Sequence, residues 1–134
     1  MTEIADVEGI GPAYGAKLQS AGVRTTEALL ERAAKPKGRH DLAQATGLSE
    51  NLLLEWVNRV DLARISGVGS EYADLLEAAG VDSPTELAHR VPANLQPALQ
   101  STNDAKHLVR RVPALSEVER WVAEAKTLPK LVEH

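Results

Sequence analysis

Two stretches of this chain carry one design, 58 residues apart, and the spacing inside it calls for short helices joined by tight turns. Gly9-Ile10-Gly11, Tyr14, Gly15, Leu18 and Ala21-Gly22-Val23 recur as Gly67-Val68-Gly69, Tyr72, Ala73, Leu76 and Ala79-Gly80-Val81, each copy led by a short apolar segment from Ile4 or Leu62. Gly9 and Gly67 fit the position just past a helix, where φ is positive and glycine adopts it cheaply. Ile10 and Val68 then plug the gap between the two helices. Gly11 and Gly69 open the second helix and leave bare backbone N–H groups at its start. One turn on, the small Gly15 or Ala73 keeps the backbones close, Leu18 or Leu76 lies on the same face, and Gly22 or Gly80 stops the helix.

These residues resemble the helix-hairpin-helix superfamily, whose pattern is apolar, Gly-apolar-Gly, a small residue one turn later and then an aliphatic. The wider pattern, including Trp56, Arg59, Asp61, Leu87, Pro92 and Asn94, resembles an uncharacterised bacterial family of that type, a domain of unknown function. The resemblance covers nearly the whole chain and implies a fold but no known activity.

Two weaker hairpins follow the strong ones. Leu42 to Glu50 reads as helix, Gly47-Leu48-Ser49, then a helix with Leu52, Leu53, Trp56 and Val60 at helical spacing. Leu108 to Glu117 leads likewise into a helix with Val118, Trp121, Val122 and Ala125, with Ser116 and Glu119 as a capping box. Ser replaces the second glycine in both, and Ala114 the first glycine in the last one. The expectation is an all-α fold of tandem helix-hairpin-helix motifs, two strong and two degenerate, with internal pseudo-symmetry. Its halves are 1–60 and 61–134, forming one compact unit. Thr25 caps one further helix, Ser83-Pro84-Thr85-Glu86 starts another, and Pro92, Pro97 and Pro113 break the second half into short helices. Phenylalanine is absent and no stretch alternates with period two, which argues against strands.

Catalysis finds little support. Without cysteine there is neither a disulfide nor a thiolate metal site, and His40, His89, His107 and His134 show no metal-binding grouping. Gly9 to Gly15 mimics a dinucleotide-binding loop, but no strand precedes it and its twin at Gly67 gives it a structural reading. No P-loop or nucleophile elbow occurs. A non-enzymatic protein without cofactor, metal or small-molecule substrate is expected. No apolar run approaches the ~20 residues that cross a bilayer, and no basic leader precedes one, so a cytoplasmic protein without membrane contact is the expectation.

The resemblance implies nucleic-acid binding, in which hairpin amides and a helix N-terminus meet phosphate oxygens without reading sequence. Double-stranded DNA is the expected partner. In the first hairpin Gly9, Ile10 and Gly11 would offer amides and Lys17 charge, and the run from Arg32 through Lys35, Lys37 and Arg39 to His40 would extend the contact unless it is a solvated loop. Gly67, Val68, Gly69 and Ser70 form a second, poorer site, and Arg110-Arg111 beside His107 is a smaller basic candidate. Against this, Glu50, Glu71 and Glu117 each follow a serine at a helix start, where an acid favours the helix dipole and repels phosphate. Glu8 flanks the first hairpin and the chain carries a net charge of −4. The alternative is a protein-interaction or scaffolding module: nucleic acid gains if Lys17, Arg24, Lys35, Lys37 and Arg39 converge on one face with the Gly9–Gly11 amides, protein binding if that face is apolar or capped by another helix. Trp56 and Trp121 sit among aliphatics and belong to the core. Tyr14 and Tyr72, at matching positions, suggest a shared packing role with the hydroxyl reaching a backbone group, which disfavours base stacking.

Overall fold

The computed structural model describes residues 3–7 and 9–134, and their fold is all-α, with eight α-helices and one 3-10 turn. Its one isolated β-bridge joins Glu3 and Thr25. The chain forms two compact units, Met1–Asp61 with Leu131–His134, and Leu62–Lys130. The segment 131–134, which the sequence groups with the second half, thus belongs to the first unit.

The first unit holds the 3-10 turn Ile4–Asp6, α1 (Gly11–Ser20), α2 (Thr26–Ala33), α3 (Pro36–Thr46) and α4 (Glu50–Leu62), whose last residue begins the second unit. Its core gathers Ile4, Ile10, Leu18, Leu29, Leu42, Leu53, Trp56 and Val132. The second unit holds α5 (Ser70–Ala78), α6 (Pro84–Ala88), α7 (Pro92–Lys106) and α8 (Leu115–Ala125) around Ile65, Val68, Leu76, Leu87, Leu95, Leu99 and Trp121.

The leading segment of each unit contains the same backbone bonds. Val7 N–H donates to Ile4 and Ile10 N–H to Val7; 58 residues on, Ile65 donates to Leu62 and Val68 to Ile65. Gly9 and Gly67 take φ of +90° and +85°, the left-handed values expected from the sequence. At the far end of the hairpin helix, Val23 N–H donates to Leu18 and Val81 N–H to Leu76, around Gly22 and Gly80 with φ of +90° and +94°. The predicted caps form: Thr25 Oγ1 accepts from Ala28 N–H at 3.2 Å and Ser83 Oγ from Glu86 N–H at 3.1 Å. The correspondence reaches residues that sequence reading assigned no structural role. Arg32 donates to the Ala21 carbonyl (3.1 Å) and Arg90 to the Ala79 carbonyl (3.3 Å), each tying its helix to the end of the preceding one.

Several expectations are corrected. The segments before the glycine turns are single turns, not α-helices: Ile4–Asp6 is a 3-10 turn, and the four residues between the end of α4 at Leu62 and Gly67 are too few for intrahelical bonding to propagate. The degenerate pair around Gly47 is the fuller hairpin. There α3 ends on Gly47 at φ +77°, whose N–H donates to Ala43 (2.8 Å), and Ser49 Oγ caps α4 through Leu52 N–H (3.1 Å). In the last hairpin no helix covers Leu108–Ala114; α7 runs on to Lys106, through Pro97, and stops at His107 in the left-handed region at φ 53°. Pro97 lies inside α7, in its second turn, where it removes the intrahelical bond to the Ala93 carbonyl without ending the helix. The cap of α8 is not Ser116 with Glu119: Glu117 Oε1 accepts from Ala114 N–H at 3.1 Å.

Candidate functional site

Each unit packs its hairpin tyrosine on its single tryptophan. The Tyr14 and Trp56 rings are 5.1 Å apart at 59°, and those of Tyr72 and Trp121 5.3 Å apart at 53°, tilted geometries that aromatic quadrupoles favour. Both tryptophans are core residues, 1% and 3% exposed. The Tyr72 hydroxyl donates to the Arg111 carbonyl (2.9 Å), a backbone partner of the kind anticipated.

In the first hairpin, Ile10 is buried and its N–H donates to Val7 at 3.0 Å, so it is a plug and not an open donor. Behind the turn lies Arg59; a Cβ at Gly9 would run into its guanidinium, which also binds Glu55 at 3.0 Å. Gly15 packs so tightly on the Ile4–Asp6 turn that a Cβ there would stand 2.8 Å from that of Ala5. Lys17 is exposed and sits in the last turn of α1, ~9 Å along the axis from Gly11. Glu8 lies outside the described residues.

The basic run does not form a loop or a free cationic patch. Pro36 starts α3 within it, and Arg39, 4% exposed, donates to the carbonyls of Ala33 (2.9 Å), Ala34 (3.0 Å) and Glu133 (2.6 Å). Burial lowers the Arg39 pKa, and nearby Glu50 and Glu133 counter this. Lys37 binds Asp41 at 2.9 Å, Lys35 lies 3.9 Å from the Glu133 carboxylate, and Arg32 caps a helix as described. Arg39 is therefore removed from the predicted contact set: two carbonyls at the end of α2 and the carbonyl of Glu133 take its guanidinium, a tertiary effect no local pattern announces.

The second hairpin differs. Val68 is likewise a buried plug bonded to Ile65, but Gly67, Gly69 and Ser70 are exposed and line a cleft of about 450 Å³ with Tyr72, Val109, Arg110 and Arg111. Glu71 lines it too. Sequence reading held Arg110-Arg111 apart from the Gly67 turn, and the structure unites them. The loop from His107 to Ala114 does this: three residues join α3 to α4, whereas eight join α7 to α8. Asn103 braces the loop, donating to the Val109 carbonyl (3.0 Å) and accepting from Val109 N–H (2.9 Å). Arg111 grips Glu117 through two bonds of 2.7 and 3.0 Å. The bonds from Arg111, and from Ala114 N–H, hold the Glu117 carboxyl at about 2. Arg110 is exposed and makes no hydrogen bond or ion pair among the described residues. Behind the turn stands an acid where the first unit has Arg59: Glu124 accepts from Ser66 N–H at 3.0 Å.

A family model described as a domain of unknown function, DUF4332, matches residues 8–128. The chain belongs to the DUF4332 family. The match takes in both glycine turns, all eight α-helices and the cleft, and stops short of the segment 131–134. No curated protein and no solved structure matches this DUF4332 chain. Among its described residues no three His, Asp or Glu side chains group as a metal site, and no helix is long and apolar enough to cross a membrane.

Proposed function

We infer that this DUF4332 chain is a non-enzymatic protein of helix-hairpin-helix type that holds the phosphate backbone of double-stranded nucleic acid without reading sequence. The matching turn bonds, caps and Tyr–Trp pairs of the two units support the tandem-hairpin reading. One observation carries the function: the cleft where the Gly67–Ser70 turn and the N-terminus of α5 meet Arg110 and Arg111. A helix N-terminus offers unsatisfied N–H groups and a favourable dipole, and the exposed Arg110 guanidinium adds charge-assisted donors for phosphate oxygens, while Arg111 is held by Glu117. This moves the centre of the contact from the first hairpin, whose Arg39 is buried and whose exposed Lys35 and Lys37 face carboxylates of Glu133 and Asp41, to the second. The charge balance agrees, since the second unit carries eight Lys and Arg against nine Asp and Glu, and the first seven against ten.

Glu71 in the same cleft, and the overall charge of −4, favour the second reading, a protein-interaction module that meets a basic partner. Fluorescence anisotropy with a labelled ~20 bp duplex over a salt series separates the two. Micromolar affinity that falls linearly in log salt, lost in Arg110→Glu and largely kept in Lys17→Glu, supports backbone binding through the second cleft. Loss in Lys17→Glu alone returns the contact to the first hairpin. No binding even at low salt rejects nucleic acid and leaves the protein-interaction module.

A further inference from the structure

The segment Leu131–His134 follows directly on the second unit yet is seated wholly in the first. Val132 is 1% exposed, among the core residues of that unit. The next peptide is held on both sides: Glu133 N–H donates to the Ala34 carbonyl (2.8 Å), and the Glu133 carbonyl accepts from Arg39 (2.6 Å). Lys35 lies 3.9 Å from the Glu133 carboxylate, and His134 Nε2 is 2.9 Å from Asn58 Oδ1.

The seat is built without the segment. Arg39 is anchored by the carbonyls of Ala33 and Ala34 as well, so the guanidinium that reads the Glu133 main chain is positioned by its own unit. The hinge is weak by comparison. Pro129 and Lys130 are exposed, and the Pro129 carbonyl accepts only two 3.4 Å bonds from Arg64, at the limit of useful hydrogen bonding. Proline keeps such a hinge extended. A firmly seated short segment on a weakly held, extended hinge is the arrangement in which a second copy can supply the identical segment at little cost.

We propose that two copies of this chain exchange Leu131–His134, each segment seated in the first unit of the other. The contacts of the segment with its seat are the same in both forms, so the exchanged form gains on the closed one as concentration rises.

The absence of cysteine makes the test clean. The exposed pair Lys35 and Glu133 is replaced one at a time, as Lys35→Cys in one full chain and Glu133→Cys in another. The two are mixed, unfolded and refolded together at high concentration, then treated with a short bismaleimide. Exchange predicts a product at twice the chain's 14.4 kDa, which disappears when Val132→Asp is added to the Glu133→Cys chain. The double variant Lys35→Cys/Glu133→Cys, at low concentration, should close within one chain. A mixture that stays at 14.4 kDa while the double variant closes overturns the exchange. A double variant that never closes overturns the seating itself, and a product that survives Val132→Asp comes from collision and overturns the proposal as well.

Discussion

As far as Arg32 and Arg90 the two units share many of the same bonds; beyond them they part further, and the parting decides their surface chemistry. Both hairpins use a left-handed glycine, a buried aliphatic plug and a tyrosine laid on a tryptophan. Behind the first turn stands Arg59, behind the second Glu124. The second glycines also differ: Gly11 is left-handed at φ +68°, whereas Gly69 is an extended N-cap at φ −88°. The short α3–α4 connection leaves the first turn without a loop of the kind that brings Arg110 and Arg111 beside the second. A hairpin is thus a scaffold whose binding chemistry is supplied by the elements packed around it.

Each unit holds one tryptophan, so fluorescence reports each separately when the other tryptophan is made Phe. The largest expected effect tests the likeness of the two. Trp56→Ala and Trp121→Ala should each cost about 3–5 kcal/mol, the range for emptying a large aromatic site. Urea titration showing a loss several-fold larger in one unit would break the equivalence of the two ring pairs.

The two second glycines should separate sharply under one substitution. Gly11→Ser forces a side chain into the left-handed region and should cost about 1–2 kcal/mol. Gly69→Ser has open space around the new Cβ and adds a capping oxygen, so a gain of a few tenths of a kcal/mol is expected. Equal losses at both positions would refute the conformational difference.

The helix ends at Gly47 and His107 offer a milder contrast. His107→Gly should stabilise the second unit by about 0.5–1 kcal/mol by relieving a left-handed non-glycine residue, and Gly47→His should cost the first a similar amount. Thermal midpoints of the two variants check both signs.

The smallest effect is pH dependence, larger in the second unit than in the first. The Glu117 carboxyl ionises at about 2 in the folded chain against an ordinary 4.5, so its contribution is complete above pH 4.5 and fades as pH falls toward 2. The pair is partly exposed, which keeps the effect modest. Trp121 fluorescence should show the larger acid sensitivity, Trp56 fluorescence a smaller one through Asp41, whose carboxyl Lys37 also holds below its usual range, and Glu117→Gln should flatten the difference.

Local pattern made much of the scaffold legible. Positive φ at Gly9, Gly22, Gly67 and Gly80 follows from turns where only glycine is cheap, and the caps at Thr25 and Ser83 follow from one side-chain oxygen and an N–H three residues on. Trp56 and Trp121 were readable as core from their aliphatic neighbours at helical spacing. The candidate site was far less legible. A run of Arg and Lys looks the same in sequence whether its charges face water or, like Arg39, close the end of a helix. The repeat also concealed a clue, since Arg32 and Arg90 stand 58 residues apart and share one role.

By itself the sequence determined the α-helical class, both glycine turns and the two aliphatic plugs, because these depend on contacts within a few residues and on backbone sterics. Only the tertiary structure decided that Arg39 is buried, that Arg110 and Arg111 reach the Gly67 turn, and that Val132 belongs to the first unit. Those outcomes depend on which distant carbonyls, loops and apolar slots come within a few ångströms once the chain has packed, and no spacing along the chain encodes that distance.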